Sequence, residues 1–219
     1  MPHPSVPIPG AGVTTVRITA WALMLAPVLQ LASTVAFVTD GGGVNDGFVG
    51  GTVGVWACLA FVVGFAGVFR ALEPHAARAA PILMGVTLIG CAAGVGFNID
   101  AALAEAFGRD VVDTATEEQG FVLAAYLPWG WCFPIGLVGT GVLLWRSRIV
   151  PRAAAALVVA GGVLFISARP ARIDPLAVAG DALLVLGLVP LGWSLLTTAR
   201  SGRDTTGDVV LTPAAGTPI

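Results

Sequence analysis

The chain has 219 residues, of which 56% are hydrophobic and 11% charged, and its formal net charge is −2. Because a soluble domain carries about 25% charged residues, this composition excludes an ordinary water-soluble fold and favours a protein surrounded by lipid. The slightly negative net charge also excludes the basic surface that nucleic-acid binding requires.

The N-terminal segment, residues 1–16, contains four prolines and two glycines, and we predict a disordered cytoplasmic tail. Arg17 then precedes the first apolar stretch, residues 18–38, which is long enough to cross the ~30 Å hydrocarbon core as a helix. No small-residue cleavage motif follows it, so we predict a retained membrane span and not a signal peptide. Gln30 lies near the middle of this span.

The second and third predicted spans, residues 48–69 and 79–99, contain no charged side chain. Asn98 lies at the end of the third span and is followed by Asp100. The connection after it, residues 101–119, carries five acidic side chains and one arginine. We predict a solvated acidic cap, with attraction of cations as the alternative.

Three further apolar stretches are predicted as spans: residues 120–145, 149–168 and 175–199. Pro128 and Pro134 interrupt the first of them, where we expect a kink; a hinge beside a site is the alternative. The second is the shortest of all the stretches. The C-terminal residues 201–219 have no apolar periodicity, and we predict a second disordered cytoplasmic tail.

These stretches predict an all-α polytopic bundle of six transmembrane helices within residues 17–200. Counted over alternate connections and the two tails, one side of the bundle carries eight arginines and the other three. The positive-inside rule places the richer side in the cytoplasm. We therefore expect a multi-pass protein of the bacterial inner (plasma) membrane with both termini cytoplasmic.

Asp181 is the one acidic residue inside a predicted span, about two helical turns after Asp174. A carboxylate in hydrocarbon costs about 2.5–3.5 kcal/mol on insertion scales, so it requires a partner or a wet cavity. With Gln30, Asn98 and Asp100 it could line one polar cleft and form a proton- or cation-coupled site. The alternatives are a structural role for Asp181 and helix–helix hydrogen bonding by the two amides.

Arg169 and Arg172 lie on the predicted outer side, against the positive-inside rule. Guanidinium groups bind carboxylates and phosphates bidentately. Their position makes both arginines candidate partners of Asp181. We consider two interpretations: a site for an anion or lipid headgroup, or salt bridges to Asp100, Asp174 or the acidic loop.

The sequence contains no catalytic, cofactor or metal signature. Glycine-loop phosphate sites and retinal attachment need lysine, which is absent, and both histidines lie outside the apolar stretches. The three cysteines, Cys58, Cys91 and Cys132, have no metal-ligand spacing and are interpreted as packing residues. A membrane-embedded enzyme is therefore the least favoured class, and no cofactor is expected.

Residues 141–152 close an apolar span in an Arg-x-Arg-x-x-Pro-Arg turn, which an Ala/Gly-rich span follows. With Asp181-Ala182-Leu183-Leu184 and Gly192-Trp193, this C-terminal half resembles uncharacterised multi-pass membrane proteins of GC-rich bacteria. The resemblance implies an integral membrane architecture and assigns no functional residue.

The predicted function is an accessory or structural membrane subunit, whose partners are the lipid bilayer and either a second copy or another membrane protein. The alternative is a small proton- or ion-coupled transporter or channel-like protein that uses Asp181.

Overall fold

The computed structural model describes residues 13–118, 120, 124 and 127–204, and the regular elements in this part of the chain are all helices. Seven α-helices have described bounds, and a 3-10 turn, Pro128–Trp131, precedes the fifth of them. The helices are α1 Val13–Thr39, α2 Phe48–Leu72, α3 Ala79–Phe107, α4 Arg109–Glu118, α5 Cys132–Ser147, α6 Arg152–Ala168 and α7 Asp174–Asp204.

Four of these helices, α1, α2, α3 and α7, are long and apolar enough to cross a membrane. This confirms an all-helical architecture compatible with a membrane, but not the full set of six predicted spans. Helix α6 has 17 residues, or about 26 Å of rise, which is less than the hydrocarbon thickness.

The fourth predicted span differs most from expectation. Among its described residues, an α-helix of 16 residues begins at Cys132, and the chain around Pro128 forms a tighter 3-10 turn just before it. The turn and the helix together rise about 32 Å. Residues 119, 121–123 and 125–126 of the preceding segment lie outside the described part.

The predicted tails are shorter than expected where the structure describes them. Helix α1 begins at Val13, inside the predicted tail, and α7 continues to Asp204. The predicted boundaries were set by the apolar stretches of the sequence. The helices are longer than these stretches, because polar residues can extend a helix beyond the lipid. Residues 1–12 and 205–219 lie outside the described residues.

All the helices except α4 pack in a closed ring: each contacts its neighbours along the chain, and α7 closes the ring against α1. Neighbours in the ring are antiparallel. On α1, for example, Ser33 bonds to Gly50 near the start of α2, while Thr19 lies against Gly67 near its end. Helix α4 packs on α3 outside the ring.

The outer surface of the ring is apolar. The side chains that are more than half exposed include large hydrophobic residues on most of the helices: Trp21, Trp56, Ile82, Leu186 and Trp193. In water such a surface would drive aggregation, whereas contact with acyl chains carries no such penalty. The surface therefore fits a membrane-embedded protein.

Phenylalanines fill the centre of the ring. Phe61 and Phe65 of α2 stack with centroids 5.5 Å apart, and Phe133 of α5 makes edge contacts with Phe61 and Phe165 at 5.2 Å. This aromatic row links α2, α5 and α6 across the ring.

Two glycines permit the close helix contacts beside this row. A methyl group at Gly90 would collide with the backbone of Phe133, and one at Gly54 would collide with the Asn98 amide. Small residues at such positions allow membrane helices to approach each other closely. Gly54 thereby provides the space in which Asn98 packs.

Candidate functional site

Three connections meet at one end of the ring, which we call the charged end: residues 40–47, helix α4 and residues 169–173. Asp46 joins them, since it pairs with Arg109 of α4 and, at 2.9 Å, with Arg172. The Val44 N–H donates to Asp174 at 3.0 Å. The ion pairs between described residues all lie at this end.

Asp181 lies on the inner face of α7 and is 1% exposed. Its Oδ2 atom accepts hydrogen bonds from the Thr34 hydroxyl at 2.5 Å and from Arg169 at 3.0 Å. Gln30, one helical turn before Thr34, also hydrogen-bonds to this carboxylate. The buried carboxylate therefore has one cationic partner, Arg169, and two neutral ones. A buried charge without such partners would strongly destabilise the fold, because the low-dielectric interior does not solvate it.

Arg169 is placed for this role by several contacts of its own. One guanidinium nitrogen donates to Thr34 at 2.6 Å, and the other donates to the Asn45 side chain at 3.2 Å. The guanidinium also lies over the Phe165 ring, 4.4 Å from its centroid. Asn45 donates back to the Arg169 carbonyl at 3.3 Å, so the arginine is fixed from several directions.

Arg109 connects α4 to the rest of the charged end. It contacts Asp46, Asp100 at 3.1 Å and Asp113 at 3.5 Å. Partial burial acts to lower the pKa of Arg109, but the Asp46 and Asp100 carboxylates raise it overall, so the guanidinium stays charged. This residue was predicted only as part of a solvated cap.

A cavity of about 400 Å³ opens among the helices at the charged end. Its walls are mostly apolar and include Phe97, Trp131, Phe133 and Phe165. Its polar and charged lining residues are Gln30, Asn45, Asn98, Asp100, Arg109, Asp113, Arg169 and Arg172. A volume of this size, with apolar walls and a few convergent polar groups, is typical of small-molecule sites.

The cavity runs from the packed interior to the surface. Gln30, Cys58 and Phe133 are buried at one extreme, whereas Trp131 and Asp113 are about half exposed at the other. Two members of the aromatic row, Phe133 and Phe165, line the cavity together with the charged side chains Asp100, Arg109, Asp113, Arg169 and Arg172.

The structure brings together only part of the predicted polar cleft. Gln30, Asn98 and Asp100 all line the cavity, but Asp181 does not. The Asn98 amide donates to the Gly94 carbonyl of its own helix at 2.7 Å and contacts Cys58 on α2. Asp181 instead lies behind Arg169, which faces both the carboxylate and the cavity.

The two predicted outer arginines differ in their surroundings. Arg169 forms a salt bridge with Asp181 and is 12% exposed, whereas Arg172 pairs with Asp46 and is 59% exposed. Each is engaged by a carboxylate of this chain, and both also line the cavity.

Sequence reasoning missed the neutral partners, Thr34 and Asn45. A threonine inside an apolar helix is a common residue, and no pattern marked Thr34 as facing α7. Asn45 has a positive φ of 74°, which asparagine tolerates in tight turns, but only the structure shows this conformation. Neither contact can be derived without knowing which helices are neighbours.

Among the described residues, no three His, Cys, Asp or Glu side chains cluster as a metal site would. No protein-family model, curated protein or solved structure matches this chain. The geometry of the cavity and of the charged end is therefore the basis for any assignment of function.

Proposed function

We propose that the chain crosses the bacterial plasma membrane six times with both termini in the cytoplasm. The antiparallel ring supports six crossings, since α5 with its 3-10 turn and α6 stand between helices that are long enough to span. The charged end gathers the first, third and fifth connections, as alternate crossings require. This side of the bundle carries three arginines and the opposite side eight, which supports an outer location for the charged end.

Within that membrane we propose a ligand-binding accessory subunit. The observation that carries this proposal is the cavity of about 400 Å³, which extends from the buried amide of Gln30 to the exposed charged end. Apolar walls with few polar groups are suited to hold a small amphipathic molecule. No nucleophile–base pair accompanies the cavity among the described residues, so binding is proposed without a reaction.

Native mass spectrometry tests this function through a matched pair of substitutions. Ile166→Trp adds bulk to the cavity wall, whereas Ile135→Trp makes the same change on an exposed face that does not line it. The wild-type protein and Ile135→Trp should retain a co-purified small molecule that Ile166→Trp has lost. The proposal is wrong if the adduct pattern is the same in all three.

A second candidate is transport of the same molecule, and the opening of the cavity at the charged end favours it. Proton coupling through Asp181 receives less support, because that carboxylate is paired and does not line the cavity. Uptake into proteoliposomes of the molecule identified above would separate the candidates. Flux that Ile166→Trp abolishes supports transport, and flux that Asp181→Asn abolishes in a folded protein would restore the proton-coupled alternative.

A further inference from the structure

Positive charge exceeds negative charge on the wall of the cavity. Among the described residues, the charged side chains that line it are three arginines and two carboxylates: Arg109, Arg169, Arg172, Asp100 and Asp113. Two further aspartates, Asp46 and Asp181, form ion pairs with these arginines but do not line the cavity. A ligand in the cavity therefore meets more guanidinium groups than carboxylates.

The two carboxylates of the wall are both bound by Arg109. Asp100 lies 3.1 Å and Asp113 3.5 Å from its Nη1 atom. Arg169 and Arg172 instead take their counter-ions from outside the wall. The wall itself is therefore positive at these two guanidinium groups.

Several guanidinium donors at this wall have no acceptor. The Nε atoms of Arg109 and Arg169 are buried, and no described residue accepts a hydrogen bond from either of them. Arg172 donates to one described acceptor, a carboxylate oxygen of Asp46, and is 59% exposed. Because a guanidinium group has donors on all three nitrogens, the ion pairs leave hydrogen-bonding capacity for a further oxygen acceptor.

The turn after helix α6 holds Arg169 and Arg172 in a fixed relation. The Ile173 N–H donates to the Ala168 carbonyl at 2.9 Å, and the Arg172 N–H donates to the Arg169 carbonyl at 3.2 Å. These two bonds form a Schellman motif, in which Arg172 adopts the left-handed conformation with a φ of 52°. Since the turn fixes the backbone of both arginines, a ligand does not have to order it.

Aromatic side chains form the apolar part of the wall. Phe97, Trp131, Phe133 and Phe165 all line the cavity. The Arg169 guanidinium lies over the Phe165 ring, 4.4 Å from its centroid, so the positive and the apolar parts of the wall adjoin. A ligand that complements both parts has an anionic headgroup and an apolar body.

We propose that the cavity binds an amphipathic oxyanion, with its anionic group at Arg172 beside Arg169 and its apolar body against the aromatic side chains. This inference rests on the proposed ligand-binding function and names the class of ligand. Guanidinium groups bind the oxygens of carboxylates and phosphates through charge-assisted hydrogen bonds. The volume of about 400 Å³ accommodates an aromatic or short-chain organic acid.

Three probes with one body and different headgroups test the charge preference: phenylpropanesulfonate, phenylpropanol and phenylpropyltrimethylammonium. Each is titrated by equilibrium dialysis against the wild-type protein in phosphatidylcholine nanodiscs. In a Cys91→Ala, Cys132→Ala background, protection of Cys58 from N-ethylmaleimide locates the bound probe, because Cys58 lines the cavity. The sulfonate should bind saturably, more tightly than the other two, and protect Cys58.

Two matched pairs of variants assign the affinity to the proposed groups. Arg172→Gln should weaken sulfonate binding about fivefold and leave phenylpropanol binding almost unchanged. Arg148→Gln is its control, because Arg148 also has a left-handed backbone, with a φ of 56°, but does not line the cavity. Asp113→Asn should strengthen sulfonate binding about twofold, whereas Asp110→Asn, on the same helix but not lining the cavity, should not change it.

An oxyanion of this kind belongs to a soluble acid or to an anionic lipid headgroup, and the nanodisc composition separates these sources. If a lipid headgroup occupies the site, addition of phosphatidylglycerol lowers the sulfonate affinity of the wild-type protein and of Arg148→Gln but not that of Arg172→Gln. Unchanged affinity in all three identifies a soluble acid. Both results are consistent with the proposed oxyanion.

Tighter binding of the ammonium probe, or equal binding of the sulfonate and phenylpropanol, would overturn the inference while the proposed ligand-binding function survives. Equal losses in Arg172→Gln and Arg148→Gln would overturn it as well, because the arginine of the cavity would then contribute no more than one outside it. The inference also fails if none of the three probes binds, and the native mass experiment then judges the proposed function independently.

Discussion

Two polar regions lie side by side at the charged end, and Arg169 belongs to both. Around Asp181, which is 1% exposed, the carboxylate is enclosed by Arg169 and Thr34. Around the cavity, Asp113 and Trp131 remain half exposed and Arg109 is shared among three carboxylates. The difference indicates that the enclosed region supports stability, whereas the open region retains the capacity to bind.

The largest expected effect is on the enclosed side. Arg169→Met should lower the free energy of unfolding by about 3–5 kcal/mol, because it leaves the Asp181 carboxylate buried without a counter-ion. Thermal unfolding in nanodiscs measures it. Arg172→Met is the control: that side chain is 59% exposed, and its loss should cost less than about 1 kcal/mol.

Equal destabilisation by the two arginine variants would contradict the distinction between the regions. The double variant Arg169→Met, Asp181→Leu sharpens it further. Since replacing both members of a buried ion pair by apolar groups removes the unpaired charge, the double variant should recover most of the lost stability.

Thr34→Val should destabilise the protein by about 2 kcal/mol, since valine has the shape of threonine but cannot donate to the carboxylate. Thr39→Val is the control on the same helix, where the hydroxyl bonds only to the Val35 carbonyl in an exposed position. Chemical unfolding of the two variants compares them. A control as unstable as Thr34→Val would show that the carboxylate bond is not the cause.

Ser33→Ala should cost about 0.6 kcal/mol, the average for hydrogen bonds between membrane helices. Its hydroxyl donates to the Gly50 carbonyl at 2.6 Å and joins α1 to α2 without involving a charge. Comparison with Thr34→Val in one unfolding series separates the neutral bond from the charged one. Similar losses in both would mean that the charge of Asp181 adds nothing.

Asp113→Asn should have the smallest effect on stability, below about 0.5 kcal/mol, because a half-exposed ion pair contributes little. Its unfolding temperature should match that of Asp110→Asn. A large loss would show that the cavity opening is a structural element and not a binding region.

Much of the fold could be predicted from the lengths of the apolar stretches, which place the starts of α2, α3 and α7 within one residue of their observed positions. Helix α1 begins five residues before the predicted span, and α3 ends eight residues after it. The 3-10 turn at Pro128–Trp131 could not be derived, because proline in an apolar span is compatible with a kinked helix as well.

Several residues of the candidate site could be predicted from the sequence, but their spatial arrangement could not. The cost of a buried carboxylate pointed to Asp181, and the misplaced charge of Arg169 pointed to its partner. Which face of each helix meets the cavity depends on the ring order and on helix rotation. In helices that are apolar on every face, the sequence does not show which face meets the cavity. For this reason Asp181 was predicted to line the same cleft as Asn98.

The most direct test places Asp181→Asn beside Ile166→Trp and measures, for each, the unfolding temperature and the mass of the retained small molecule. The account predicts that Asp181→Asn is less stable but keeps the molecule, and that Ile166→Trp is stable but loses it. The opposite result, in which the Asp181 variant alone loses the molecule at unchanged stability, would contradict the account.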